Sequence, residues 1–144
     1  MADAFNLKII VPGGIIWEDS GVSSLFAVGE EGGLEILPGH TDFLTPLRVS
    51  RLEVLKPGRY HQSRVQWSVA GGILQVSKEG VVVISPAVEK ADNIDVERAR
   101  NARGRARARL GKADSGIDME RARQAMERAE VRLKVATFKQ DNLD

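Results

Sequence analysis

Apolar residues alternate with polar or less hydrophobic ones from the start of the chain. Phe5, Leu7, Ile9 and Val11 occupy every second position, the two-residue period of a strand with one face on a core. Pro12-Gly13-Gly14 breaks this run ahead of Ile15-Ile16-Trp17, and further β-type runs follow at 25–28, 34–37, 43–47, 49–55, 65–70, 73–76 and 81–85. The segments between them carry GEEGG, PGH, KPGR, AGG and KEG, each with Gly or Pro where a turn needs unusual backbone angles. Turn signals at intervals of roughly eight to twelve residues, with no helical periodicity between them, mark a sandwich or barrel. Nine or ten strands are expected.

After Pro86 the β-branched residues give way to Ala and Arg, both strong helix formers, so residues 1–87 read as a β domain and residues 88–144 as a helical one. Asp92 and Asn93 are placed to cap a helix over about residues 94–110, with Asp95 in its first turn and Gly111 ending it. Ser115, with Asp118 three residues on, starts a second helix reaching about Phe138. Helices joined by so short a loop run antiparallel. Met119, Ala122, Met126, Ala129, Leu133 and Ala136 form the seam of the second helix. Val96, Ala99, Ala106 and Leu110 form a thinner one on the first, interrupted by Arg103. Alanine buries little, at roughly 0.8 kcal/mol per CH2, so the seam predicts a hairpin able to undock or extend, the plainer alternative from the same pattern being one packed permanently.

Composition narrows the chemistry. In 144 residues there is no cysteine, which excludes disulfides, thiolate nucleophiles and Cys-type zinc sites, and only His40 and His61 offer imidazole. No apolar run approaches the roughly 18 residues of a membrane span, and the first residues lack the basic segment and apolar core of an export signal. A cytoplasmic setting is expected, with membrane contact only through partners. The net charge of +1 conceals a division: residues 1–87 hold seven Lys/Arg against nine Asp/Glu, and residues 88–144 hold fourteen against eleven. From Arg98 to Lys112 there are seven basic residues and no acidic one, a field that attracts anionic partners.

The segment VGEEGGLEILPGHTDFLTPL (28–47), together with residues 67–99 and 117–136, resembles the epsilon-subunit family of bacterial F-type ATP synthases in order and spacing over nearly the whole chain. Glu35 departs from the glycine many relatives carry there, and Gly104 is unusual inside a helix. The resemblance implies a ten-stranded β-sandwich that grips the central stalk gamma subunit and rests on the c-ring, followed by a two-helix hairpin. It implies also that the hairpin, extended toward the alpha/beta catalytic subunits, inhibits ATP hydrolysis. It implies a non-catalytic, peripheral subunit on the cytoplasmic face of the inner membrane, with no required cofactor and no metal. Some family members bind ATP as a regulatory ligand, and their motif maps onto Glu89, Asp95, Arg98, Ala99, Arg105, Arg128 and Arg132. Asp95, Arg98 and Arg105 share a helical sector and arginine forks suit phosphate oxygens, whereas Arg109 is expected outside this set. The plainer alternative makes Asp95 a helix cap and the arginines surface residues. Arg100, Arg103, Arg107 and His40 are expected to meet partner subunits.

No catalytic constellation surrounds His40, and neither GEEGG nor AGG is followed by the Lys-Ser/Thr pair of a phosphate-binding loop. Trp17 and Trp67 suit either the sandwich core or a subunit interface. The rival reading is an arginine-rich nucleic-acid-binding module. The acidic residues Glu120, Glu127 and Glu130 on the second helix count against it, as does the small number of aromatic stacking platforms.

Overall fold

A computed structural model describes residues 4–57, 63–112 and 115–137. Eight strands precede two helices: β1 (Phe5–Val11), β2 (Gly14–Val22), β3 (Ser24–Gly29), β4 (Gly32–Ile36), β5 (Phe43–Lys56), β6 (Ser63–Ser77), β7 (Gly80–Ile84), β8 (Val88–Lys90), α1 (Val96–Leu110) and α2 (Gly116–Thr137). The strands hydrogen-bond in the order β2-β1-β7-β6-β5-β3-β4. Only β1–β7 is parallel among these pairs. One edge of β6 follows β5 throughout, while its other edge pairs with β8 at Trp67–Val69 and with β7 at Ile73–Ser77. The long strands thus pass from one layer of a β-sandwich into the other.

This passage corrects the expected strand count among the described residues. The runs 43–47 and 49–55 are halves of β5, and 65–70 and 73–76 are halves of β6. The sequence AGG is a bend inside β6 and not a turn between strands. Gly71 and Gly72 adopt φ of +79° and +113°, yet Leu47 pairs with Gly72 and Val49 with Ala70 in one unbroken register. A Cβ on Gly72 would lie 2.0 Å from the Ile84 carbonyl oxygen, so glycine there lets β7 cross close to the bend.

The core follows the alternation. Leu7 and Ile9 on β1, Val81 and Val83 on β7, Leu52 and Val54 on β5, and Trp67 and Val69 on β6 are buried within one cluster drawn entirely from the strands. Trp67 is a core residue, and Trp17 packs against it edge-on with ring centroids 5.0 Å apart. The sheet continues past residue 87 through β8, where the change in composition suggests a boundary.

The helical segment also starts later than Asp92 and Asn93 suggest. Those residues lie in a 3₁₀ turn (Ala91–Asn93), and Ile94 is extended. Asp95 is the N-cap of α1, its Oδ1 accepting from the Arg98 N–H at 3.0 Å. On α2, Ser115 Oγ accepts from the Asp118 N–H at 3.1 Å, the cap the sequence predicts. The helices meet through Ala99 and Ala106 on one side and Ala122 and Ala129 on the other. Val135, outside the predicted seam, is fully buried beside Ala91 and Ile94 and anchors α2 to the end of the sandwich. His61, part of the KPGR turn and Phe138 lie outside the described residues.

Candidate functional site

Because α2 lies against β5, β6 and the 3₁₀ turn while α1 packs mainly on α2, a cleft of about 290 Å³ remains between the helices and the sheet. Its floor is Val49, Ser68, Val69 and Ala70, and its upper wall includes Ala102, Ala106, Ala125 and Ala129. Among the described residues five charged side chains line it: Glu89 from β8, Arg105 and Arg109 from α1, and Arg128 and Arg132 from α2.

The strongest contact in the cleft joins the sandwich to the hairpin. Arg132 Nη2 donates to Glu89 Oε2 at 3.3 Å, and its Nε lies 2.9 Å from Glu89 Oε1. The Arg132 side chain is 20% exposed and that of Glu89 37%, so the pair is partly shielded from solvent; it is held by the one Nη2 hydrogen bond and by charge, because Nε, though close to Oε1, is not aligned to donate to it. Arg105, Arg109 and Arg128 form no ion pair among the described residues, leaving their charges directed at a shared space. Neighbouring like charges without counter-ions repel, and a bound anion relieves that repulsion.

Four of the seven expected ligand residues, Glu89, Arg105, Arg128 and Arg132, therefore gather at one cleft. Asp95, Arg98 and Ala99 are not among its lining residues. Arg98 precedes Arg105 by seven residues, about 10 Å along the helix axis, and the cleft opens on the C-terminal half of α1. Ala99 is fully buried, and the Asp95 carboxylate caps α1. Arg109 lines the cleft although it was expected outside the set. Its i,i+4 spacing from Arg105 puts the two on one helical face, which is the signal that identifies it.

Arg100 and Arg107 are exposed and Arg103 is half-buried. None of the three has an ion-pair partner among the described residues. His40 is exposed, its Nδ1 2.9 Å from the Thr41 carbonyl oxygen and its ring 5.1 Å from that of Phe43. Elsewhere on the sandwich, Ile15, Ile10, Ile84, Ile73 and Pro46 stand opposite one another across β2, β1, β7, β6 and β5. Directly opposed residues point to the same face, so they form one apolar row. Ile15, Ile84 and Ile73 are 54%, 47% and 44% exposed.

The β-sandwich domain of the ATP synthase delta/epsilon chain matches residues 4–91, and the long α-helix domain of the same chain matches residues 92–137. The chain belongs to the ATP synthase delta/epsilon family. It is 36% identical over 115 residues to the ATP synthase epsilon chain of Desulforamulus reducens, covering 80% of this chain and 83% of that one. To the epsilon chain of Geobacter metallireducens it is 36% identical over 110 residues, 76% of each. Its fold is also that of a chain in the Euglena gracilis mitochondrial ATP synthase OSCP/F1/c-ring structure. There the TM-score is 0.80 at 22% identity, covering 95% of this chain and 83% of the other. A chain of the Tetrahymena thermophila mitochondrial ATP synthase central stalk/c-ring superposes with a TM-score of 0.64 at 12% identity, covering 92% and 96%. Among the described residues no helix is long and apolar enough to cross a membrane.

Proposed function

We propose that this epsilon-family chain is a non-catalytic coupling subunit of an F-type ATP synthase whose hairpin inhibits ATP hydrolysis and is held folded by ATP. The observation that carries this reading is the cleft itself. Arg105 on α1, Arg128 and Arg132 on α2, and Glu89 on β8 reach one space, so a polyanion bound there ties both helices to the sandwich. A ligand that prefers the folded hairpin stabilises it by RT ln(1 + [L]/Kd), about 2.7 kcal/mol at a hundredfold excess over Kd. With ATP scarce, an interface of alanines, Val135 and one ion pair releases more easily. The hairpin can then extend its unpaired α1 arginines, Arg100, Arg103 and Arg107 among them, toward acidic surfaces of the alpha/beta catalytic subunits.

The apolar row Ile15-Ile10-Ile84-Ile73-Pro46 supplies the surface for a lasting contact with the gamma subunit. A contiguous apolar strip rimmed by Lys8 and Glu18 suits a permanent interface better than open water. His40 and the loop around it face the c-ring in this arrangement, at the cytoplasmic side of the membrane. The shortage of stacking aromatics in the hairpin gives the nucleic-acid reading no support.

Calorimetric titration of the isolated chain with ATP up to millimolar concentration tests the ligand. Saturable binding that raises the melting temperature is expected, weakened about tenfold or more by Arg132→Ala or Arg105→Ala. In the assembled enzyme, deleting residues 92–144 is expected to raise ATP hydrolysis while leaving synthesis largely intact. Unchanged hydrolysis in that deletion removes the inhibitory role.

A further inference from the structure

The cleft does not end at Arg109 and Arg128. Those two residues and Ala125 also line a second recess of about 680 Å³ that runs outward between α1 and α2 and adds Lys112 and Arg121. The two spaces thus adjoin across these three residues, along a stretch of the α1–α2 seam hereafter called the groove. Its cations from the inside outward are Arg105, Arg128, Arg109, Arg121 and Lys112, and none has an ion-pair partner among the described residues. Arg132 is already engaged by Glu89, and among the described residues Asp118 is the one acidic residue lining the outer recess.

We infer that Arg109, Lys112 and Arg121 form a distal anion subsite, and that the groove as a whole takes a linear chain of phosphates. This deepens the ATP reading and rests on its inner cleft being a phosphate site. Two features favour a phosphate chain over an acidic protein segment. Between the cations the outer recess is walled by Ala108, Ala122, Ala125 and Gln124 on two α-helices, whose mid-helix backbone groups are already hydrogen-bonded within the helix. A peptide laid in the groove would find few partners for its own amides. A phosphate chain needs none, carries charge on every unit, and presents the oxygen pairs that guanidinium forks match. The inner cleft alone also lies at the small end of ligand pockets, so a ligand of several phosphates extends outward.

Free polyphosphate and the tail of a nucleotide share this chemistry, and titrating the full chain separates them. Pyrophosphate, tripolyphosphate, a longer linear polyphosphate, ATP and an oligoglutamate peptide are compared at low ionic strength and at about 0.15 M salt. Affinity is expected to rise from pyrophosphate to tripolyphosphate and again, by about tenfold, to the longer chain. The exposed double substitution Lys112→Ala/Arg121→Ala should remove that last gain and leave pyrophosphate binding and the circular dichroism spectrum unchanged. Equal affinity for all chain lengths, or a double variant that keeps the preference, overturns the subsite. So does oligoglutamate binding as tightly as polyphosphate, which reassigns the groove to an acidic protein partner. If tripolyphosphate binds and ATP does not, the nucleotide reading fails while the subsite stands. If ATP binds with no preference for chain length, the reverse holds.

Discussion

At the scale of single residues, two glycines with opposite surroundings show how backbone geometry decides tolerance. Gly72 combines φ of +113° with an Ile84 carbonyl oxygen 2.0 Å from where a Cβ would sit. Gly72→Ala is therefore expected to cost at least about 2 kcal/mol through strain and forced separation of β6 from β7. Gly104 lies inside α1 with nothing within 4 Å of its Cβ position, so Gly104→Ala should stabilise the hairpin by about 1 kcal/mol. Thermal melts of the two variants check both signs. A third residue makes stability depend on acidity. The Asp19 carboxylate accepts from Lys56 Nζ and, at 2.7 Å, from the Gly21 N–H, and the Lys56 hydrogen bond foremost holds its pKa below the ordinary carboxylate value. A folded-state pKa below the unfolded one means stability that is present above about pH 4 and is lost as pH falls through the lower, folded value. Asp19→Asn should remove roughly 0.5–1 kcal/mol at neutral pH and flatten the acid limb of melting temperature against pH, the partial exposure of the pair keeping the effect small.

At the scale of elements, the hairpin is held by few and small contacts. Its interhelical seam is alanine, and its attachment to the sandwich rests on Val135 with Ala91 and Ile94 and on the Glu89–Arg132 pair. Val135→Ala deletes two buried carbons from the centre of that attachment and should loosen α2 by about 2 kcal/mol, whereas Met119→Ala, at a 40% exposed position, should have little effect. Amide exchange along α2 in the intact chain reads the difference. Equal exchange in the two variants would show that the attachment lies elsewhere. The pattern of the sequence made the element types, their order and the Ser115 cap legible, because alternation and caps are local signals. It did not reveal that β5 and β6 are single long strands: in β5 the polar Arg48 looks like a break between two apolar runs, and in β6 a pair of glycines looks the same whether it reverses a chain or kinks it. What distinguishes the two is the approach of Ile84, a contact distant in sequence. The family resemblance is what grouped Arg105, Arg128, Arg132 and Glu89, four residues that line the cleft; helical spacing contributed less. The spacing missed Val135, because a seam drawn between two helices leaves out the face turned to the sheet. Asp95 served the helix it precedes and not the cleft, as short carboxylates before a helix commonly do.

At the scale of the molecule, the question is whether the sandwich depends on the hairpin. The main core is composed only of strand residues, and α2 touches the sheet from outside that core, so the hairpin can leave without opening it. The strand β8 is different. It follows Pro86, yet it completes the edge of β6 opposite Trp67, Ser68 and Val69, and Val88 packs on the core. A chain ending at Asn93 keeps that edge, and a chain ending at Ala87 exposes it. The longer fragment is expected to melt as one cooperative unit, while the shorter one should be less stable by roughly 1–3 kcal/mol through unpaired backbone groups and the uncovered flank of Trp67. Denaturant titration of both fragments followed by tryptophan fluorescence measures this, because Trp17 and Trp67 report on the two layers together. An unfolded fragment ending at Asn93 would mean that the hairpin is part of the fold and cannot extend without melting the sandwich, which would count against its acting as a movable brake. Equal stability of the two fragments would place the working boundary before β8. A stable longer fragment and a weakened shorter one fit a division in which Glu89 belongs to the fixed half and Arg132 to the mobile one. In that case the ion pair that closes the cleft also joins the two parts of the molecule.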